Sequence, residues 1–425
     1  MTDTIFALSS GAPPAAIAVV RVSGPAAGAA LQALAGHLPP ERRAVAATLR
    51  DAAGAVLDRA LVLWLPAPNT ATGEDTAELH LHGGRAVVAA VSSALEALPG
   101  LRSAEPGEFT RRAFANGRID LAEAEGLADL LSAETELQRR SALVMAGGAF
   151  SRQVEEWRER LLGLSAAVEA VLDFADEDDV ATLPVDFLQR IDGLRSDLAA
   201  WLARPRAEAL REGFRVVIAG PPNAGKSTLF NTLVQSEAAI ATPIAGTTRD
   251  VLTRPVGYAG IPFLFADTAG LHDATDDVVE AIGIERALEA LDRADLVLWL
   301  GPEGEGPAGA WEVSAQCDRP QGAAKVHPRH RVSAVSGEGI EALIDDLVEM
   351  ARAALPKPGE AALNQRQHDL LRDAAQALQA AEDEADPLLV AEALRLARVS
   401  FDALLGRTTT EDMLDALFGR FCIGK

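Results

Sequence analysis

Phe214-Arg-Val-Val-Ile-Ala-Gly-Pro-Pro-Asn-Ala-Gly-Lys-Ser-Thr228 is the stretch that decides the fold. An apolar run with β character ends at Gly220, the octapeptide Gly220 to Ser227 matches the P-loop pattern, and Thr228 to Val234 reads as a helix. In that strand, loop and helix context the glycines let backbone amides curl around a β-phosphate, and the helix N-terminus adds positive potential. Lys226 then bridges β- and γ-oxygens and Ser227 holds magnesium. Downstream, Gly246-Thr-Thr-Arg-Asp250 and Asp267-Thr-Ala-Gly270 follow in the order expected of a nucleotide switch, the second closing a strand from Ile261 to Ala266. Thr248 ligates the metal only while the γ-phosphate is present, Asp267 adds a carboxylate to the magnesium shell, and the Gly270 amide meets the γ-phosphate. The pattern predicts a GTPase domain.

The base-reading motif departs from the usual Asn-Lys-x-Asp. Its best counterpart is Ala315-Gln316-Cys317-Asp318, which keeps only the aspartate. Asp318 still accepts both guanine N1 and N2 protons, and Ser333-Ala334 offers a backbone amide to O6. Loss of the asparagine bonds costs about 1 to 3 kcal/mol where a buried partner is left unpaired, so weaker affinity or relaxed specificity is expected. The Gly- and Pro-rich connection from Gly301 to Trp311 leaves no room for a helix and a full strand, so this sheet edge is expected to be reduced. Leu271 stands where Ras-like enzymes carry their water-orienting glutamine, leaving Asp273, Asp276, Asp277, Glu280 and Glu285 as candidates.

Around this core the chain runs to 425 residues, enough for about three domains, with 48% hydrophobic and 24% charged residues. A net charge of −23 repels polyanions at long range, so any RNA contact must be local or delegated to a partner. No basic leader and no apolar run of membrane-spanning length is visible, and the two cysteines, Cys317 and Cys422, are too few for a disulfide framework. A cytoplasmic protein is expected. Residues 1–117 alternate strand-like and Ala-rich helical runs, an α+β reading. Residues 118–209 carry apolar positions three and four apart, as in Val154, Trp157, Leu161, Leu164 and Val168, and helical periodicity returns over 356–425. The economical arrangement packs these two helical blocks into one bundle with an α/β domain, 210–355, inserted between them.

Four blocks make the sequence specific: Ile17-Ala-Val-Val-Arg-Val-Ser-Gly24; Pro106-Gly-Glu-Phe-Thr-Arg-Arg-Ala-Phe-Ala-Asn-Gly-Arg-Ile-Asp-Leu121; the switch motifs with Ile282-Gly-Ile-Glu-Arg286; and Phe421-Cys-Ile-Gly-Lys425. With these, the chain resembles the MnmE (TrmE) family of tRNA modification GTPases over essentially its whole length. The resemblance implies an N-terminal folate-binding and dimerisation domain, a discontinuous helical domain and an inserted Ras-like P-loop GTPase domain. It implies a homodimer that forms a heterotetramer with the FAD-bearing partner MnmG, and no membrane association. Together they add a carboxymethylaminomethyl or aminomethyl group to C5 of the wobble uridine of certain tRNAs, the tRNA being bound largely through the partner. The carbon comes from a tetrahydrofolate, as the 5,10-methylene or 5-formyl form.

By matching motifs, the resemblance places folate at Arg21, Glu78, Arg118 and Lys425. It places GTP at Asn223, Ala224, Gly225, Lys226, Ser227 and Thr228; at Thr242, Ala245, Gly246, Thr247 and Thr248; at Asp267, Thr268, Ala269 and Gly270; and at Asp318, Ser333 and Ala334. Magnesium is assigned to Ser227 and Thr248. Potassium, which replaces an arginine finger, is assigned to Asn223, Thr242, Thr247 and the Ile244 carbonyl. Glu280, two residues before the Ile-Gly-Ile-Glu-Arg block, orients the attacking water, and Cys422 matches a functional C-terminal cysteine.

Arg111-Arg112 and Arg139-Arg140 are the best local candidates for tRNA, against the plainer reading of solvated helix faces. Two other functions compete with the GTPase of tRNA modification. A ribosome-assembly switch would need a basic RNA-binding appendage, which the acidic balance does not supply. A folate-binding scaffold without turnover is motivated by Ala315 and Gln316.

Overall fold

Alternating burial along short β-branched runs lays down the first sheet. Its strands are β1 (Thr4–Leu8), β2 (Ile17–Ser23), β3 (Val45–Arg50), β4 (Val56–Leu65), β5 (Thr76–His82) and β6 (Leu101–Ser103), in the order β3-β4-β5-β2-β1-β6. All neighbours are antiparallel except β1 and β6. Two helices, α1 (Ala27–Ala35) and α2 (Arg85–Glu96), bury Leu31, Leu34, Val91 and Leu95 against Val20, Val22, Leu79 and Leu81 of the sheet. Each fully buried Leu or Val contributes about 1.5 to 3 kcal/mol, which is why this apolar face holds a single register. The computed structural model describes residues 3–173, 182–236, 253–267, 290–319, 325–408, 410–419 and 421–424, and its chain divides into two compact units. One is Met1–Ala128 with Asp402–Lys425, the other Asp129–Phe401.

In the first unit α3 (Glu108–Ala115) and the start of α4 (Leu121–Ser132) meet the C-terminal helix Glu411–Phe418. Leu121, Ala124, Leu414, Phe418 and Phe421 form a small core there. Behind it lies a buried charge cluster. Arg112 has no exposed surface and donates to the Asp3 carbonyl (2.9 Å) and to the carboxylates of Asp3, Glu74 and Glu108. Burial pushes the Glu108 carboxyl up, but bonds from Arg102, the Glu105 amide and Arg112 more than offset it, so its pKa ends below the usual range. Arg112 therefore cannot serve a tRNA surface, and Arg111 is engaged by Glu411 and Asp415.

Removing one partner of a buried ion network leaves charges uncompensated, so Arg112→Ala should lose about 3 to 5 kcal/mol in denaturant unfolding of this unit. A carboxylate with a depressed folded pKa contributes stability above its unfolded value, near pH 4, and loses it as pH falls through the folded value. The gap between wild type and variant should therefore narrow on acidification. A gap independent of pH would assign the loss to packing alone.

The second unit combines helices with the second sheet. Its helices begin with α5 (Glu136–Ala146), α6 (Ala149–Asp173), α7 (Phe187–Leu202) and α8 (Ala207–Glu212). They continue with α9 (Lys226–Gln235), α10 (Ile340–Ala354), α11 (Gln365–Asp383) and α12 (Pro387–Leu404), whose last residues pass into the first unit. Val154, Trp157, Leu161, Leu164 and Val168 form the buried face of α6, as their spacing predicts. Trp157 packs edge-on to Trp201 at 5.8 Å and is stacked on Phe401 at 6.1 Å.

The sheet comprises β7 (Phe214–Ala219), β8 (Thr253–Tyr258), β9 (Ile261–Asp267), β10 (Leu296–Trp299), β11 (Trp311–Ser314) and β12 (His330–Arg331), in the order β12-β11-β10-β7-β9-β8. Only β8 runs antiparallel. Four residues in β11 and two in β12 make the reduced edge that the Gly301–Trp311 connection predicts. Because five strands run the same way, the C-terminal ends of β7, β9, β10, β11 and β12 collect along one sheet edge, where open α/β sheets bind ligands.

Candidate functional site

At that edge the loop after β7 turns directly into α9. Asn223 (φ 64°) and Gly225 (φ 94°) both hold left-handed backbone, which bends the loop into a concave run of amides at the helix start. A Cβ on Gly225 would come within 3.0 Å of the Gln316 amide nitrogen, so only glycine leaves that approach open. Lys226 is 5% exposed, and its Nζ donates to the carbonyls of Gly220 and Pro221, each at 2.9 Å. Burial pushes its ammonium pKa down, countered by the charge of Asp267, which is itself buried at the end of β9. Asn223, Ser227 and Thr228 stay exposed at the mouth, with Ala224 half-buried beneath. The arrangement presents a fixed cation, helix-start amides, a hydroxyl and a carboxylate to an anionic ligand.

The loop with the altered tetrapeptide, Ala315 to Asp318, sits beside it. Asp318 is exposed, and a hydrogen bond from Ser333 holds its carboxyl below the usual range. The Ser333 hydroxyl also accepts from the Ser336 amide at 3.1 Å, and the Ala334 carbonyl accepts from Thr232 on α9 at 3.2 Å. Burial and the nearby Glu338 and Asp318 charges push the Cys317 thiol up, which favours the thiol over the thiolate. One contact was not legible in the sequence. Gln316 donates through its amide to the Asn223 carbonyl at 3.3 Å, so it ties the base loop to the phosphate loop although the usual lysine is gone. Its place in the altered tetrapeptide was the only signal available.

Against known proteins, a family model described as the GTP-binding protein TrmE N-terminus matches residues 4–118, and one described as the MnmE helical domain matches residues 121–422. A protein of Novosphingobium aromaticivorans named tRNA modification GTPase MnmE is 64% identical over 437 residues, covering 100% of both chains. One of the same name from Erythrobacter litoralis is 63% identical over 423 residues, again covering 100% of both. The chain belongs to the MnmE family.

For an MnmE-family chain, the N-terminal unit carries the second group of sequence candidates. Arg21 on β2 and Glu78 on β5 are register partners, and the Arg21 guanidinium donates to Glu78 at 2.9 and 3.1 Å. His80 lies 3.2 Å from the same carboxylate, and Arg21 lies 5.9 Å from the Phe109 ring centroid. Arg118 is exposed on the turn after α3, its stem beside Gly73. Residues 421–424 of the MnmE-type C-terminal block are seated in the same unit. Ile423 bridges to Pro106, and Gly424 lies so close to Leu8 that a Cβ would fall 2.1 Å from its carbonyl oxygen. Cys422 is exposed on this segment.

Thr242, Ile244, Ala245, Gly246, Thr247, Thr248, Thr268, Ala269, Gly270, Glu280 and Lys425 lie outside the described residues. Arg139 and Arg140, the other pair considered for tRNA, both engage Glu136, at 2.7 and 2.6 Å, and lower its carboxyl pKa to about 2. Among the described residues no helix is long and apolar enough to cross a membrane.

Proposed function

We propose that this chain, a GTP hydrolase of the MnmE family, uses potassium-activated turnover of GTP to time addition of a carboxymethylaminomethyl or aminomethyl group to C5 of a tRNA wobble uridine. The observation that carries the reading is the cradle after β7, with Lys226 buried beside Asp267, in a chain whose relatives match it from end to end. The amides of Asn223 to Thr228 bind the phosphates, Lys226 spans the β- and γ-oxygens, and Asp318 with Ser333 and Ala334 reads guanine. Ser227 and Thr248 hold magnesium, and Asn223, Thr242, Thr247 and the Ile244 carbonyl hold potassium. When bound, these ions supply fixed positive charge against the negative charge that grows on the phosphates. Glu280 orients the attacking water.

Residues 1–117 are read as the folate-binding and dimerising part, 118–209 with 356–425 as the helical part, and 210–355 as the GTPase part. Arg21 and Glu78 form a prepared charge pair for the pterin, with Arg118 and Lys425 for its acidic tail and Cys422 near the modification centre. The chain acts as a homodimer with the FAD-bearing MnmG, which carries most of the tRNA contact, in the cytoplasm. The acidic net charge of −23 favours that delegation.

A hydrolysis assay with GTP and with ATP, each in potassium and in sodium, tests the reading. Turnover should favour GTP over ATP and should fall by about 10-fold or more in sodium, the loss of roughly 1.4 kcal/mol of transition-state stabilisation. Equal rates in both salts would end the potassium assignment.

A further inference from the structure

The open end of the β8 and β9 hairpin is flanked in the sequence, before β8 and after β9, by the two switch motifs. β8 begins at Thr253, just after Gly246-Thr-Thr-Arg-Asp250, and β9 ends on Asp267, the first residue of Asp267-Thr-Ala-Gly270. Pairing is continuous from Thr253↔Ala266 to Tyr258↔Ile261, closed by Ala259 (φ 49°) and Gly260 (φ 78°) in a two-residue turn. A ladder of this kind is a stiff rod of about 20 Å, because the register cannot slip without exposing Phe263 and Phe265. The Tyr258 hydroxyl also donates to the Leu233 carbonyl on α9, the helix of the phosphate loop.

The far end of the rod meets α5. The Leu137 amide donates to the Gly260 carbonyl at 3.0 Å, and the Leu137 side chain is buried in one core with Tyr258, Ile261 and Phe263. α5 also touches both places where the chain enters and leaves the sheet region. Gln138 donates to the Leu210 carbonyl at 3.0 Å, and Ser141 to the Glu360 carbonyl at 2.9 Å.

We propose that α5 is the read-out element of the nucleotide site, and that the Gly260 carbonyl on the Leu137 amide is the contact through which the β8–β9 hairpin drives it. Leu137 is thus a positioning residue that acts on the helical part and not on the reacting phosphates. The proposal rests on the GTP-hydrolysis reading above and deepens it by naming the path of coupling. What makes it a physical coupling is one paired hairpin that carries Asp267, whose charge acts on Lys226, at its open end and Gly260, bonded to α5, at its turn.

Amides in a helix's first turn have no intrahelical acceptor, so protection of the Leu137 amide reports the Gly260 contact and little else. Hydrogen exchange on the full chain, loaded with GDP or with GDP and aluminium fluoride in potassium chloride, should change at Leu137 by tenfold or more between the two states. Leu137→Ala keeps the amide but removes the side chain that packs with Tyr258, Ile261 and Phe263 and seats α5 on the turn, so it should hydrolyse GTP within about twofold of wild type yet lose the state-dependent exchange of the Gln138–Ala146 segment. Identical Leu137 exchange in both loaded states would overturn the coupling and leave the hydrolysis reading standing. Failure to take up either nucleotide would overturn both.

Discussion

Lys226→Ala is expected to weaken GTP binding by roughly two to four decades, from two charge-assisted hydrogen bonds of about 1.5 to 3 kcal/mol each. The residue is 5% exposed and its Nζ rests on the carbonyls of Gly220 and Pro221, so the protein itself fixes the ammonium at the loop. Its desolvation has been met in folding, and the phosphates meet a charge that needs little reorganisation. Because α9 starts at this residue and alanine is a good helix former, the fold should survive, which far-ultraviolet circular dichroism would check. Titration calorimetry giving a dissociation constant within threefold of wild type would remove Lys226 from the phosphate site.

Glu280→Ala should separate chemistry from binding. A side chain that orients the attacking water works only on the way to the transition state, so its loss lowers kcat without a matching rise in KM. General acid and base groups contribute typically 10²- to 10⁴-fold, and a drop of about that size is expected. Nucleotide affinity should stay within a factor of about two, since the proposed function gives the ground-state contacts to the loop after β7 and to the Asp318 loop. Leu271, standing where a glutamine would do this work, makes the assignment testable by contrast. Leu271→Gln in the Glu280→Ala background should leave turnover below about a tenth of wild type, which the same assay checks. Unchanged turnover in Glu280→Ala would strike that residue from the mechanism.

Much of this molecule is legible in its residues alone. The apolar run Phe214 to Ala219, the glycines and Lys226 fix a strand, a phosphate loop and a helix by local chemistry, and β7 and α9 have those positions. The buried face of α6 follows from helical spacing, because a period of 3.6 residues brings those side chains to one stripe. Even the reduced sheet edge is visible in the short Gly- and Pro-rich connection before Trp311. The arginines are not readable in this way. Arg111 and Arg112 are adjacent and look equivalent in sequence, yet one lies partly exposed against Glu411 and Asp415 while the other is wholly buried among Asp3, Glu74 and Glu108.

What the sequence alone determined is the chemistry carried on contiguous segments: the phosphate loop, the helical stripes and the family blocks. Each depends on residues within a few positions of one another, where spacing dictates geometry. Tertiary structure decided whatever required distant segments to meet: the Gln316 amide on Asn223, the Leu137 amide on Gly260, and the Pro106 bridge to Ile423. Partners so far apart in the chain are selected by how sheets and helices pack. No local spacing encodes which carbonyl a given amide will find.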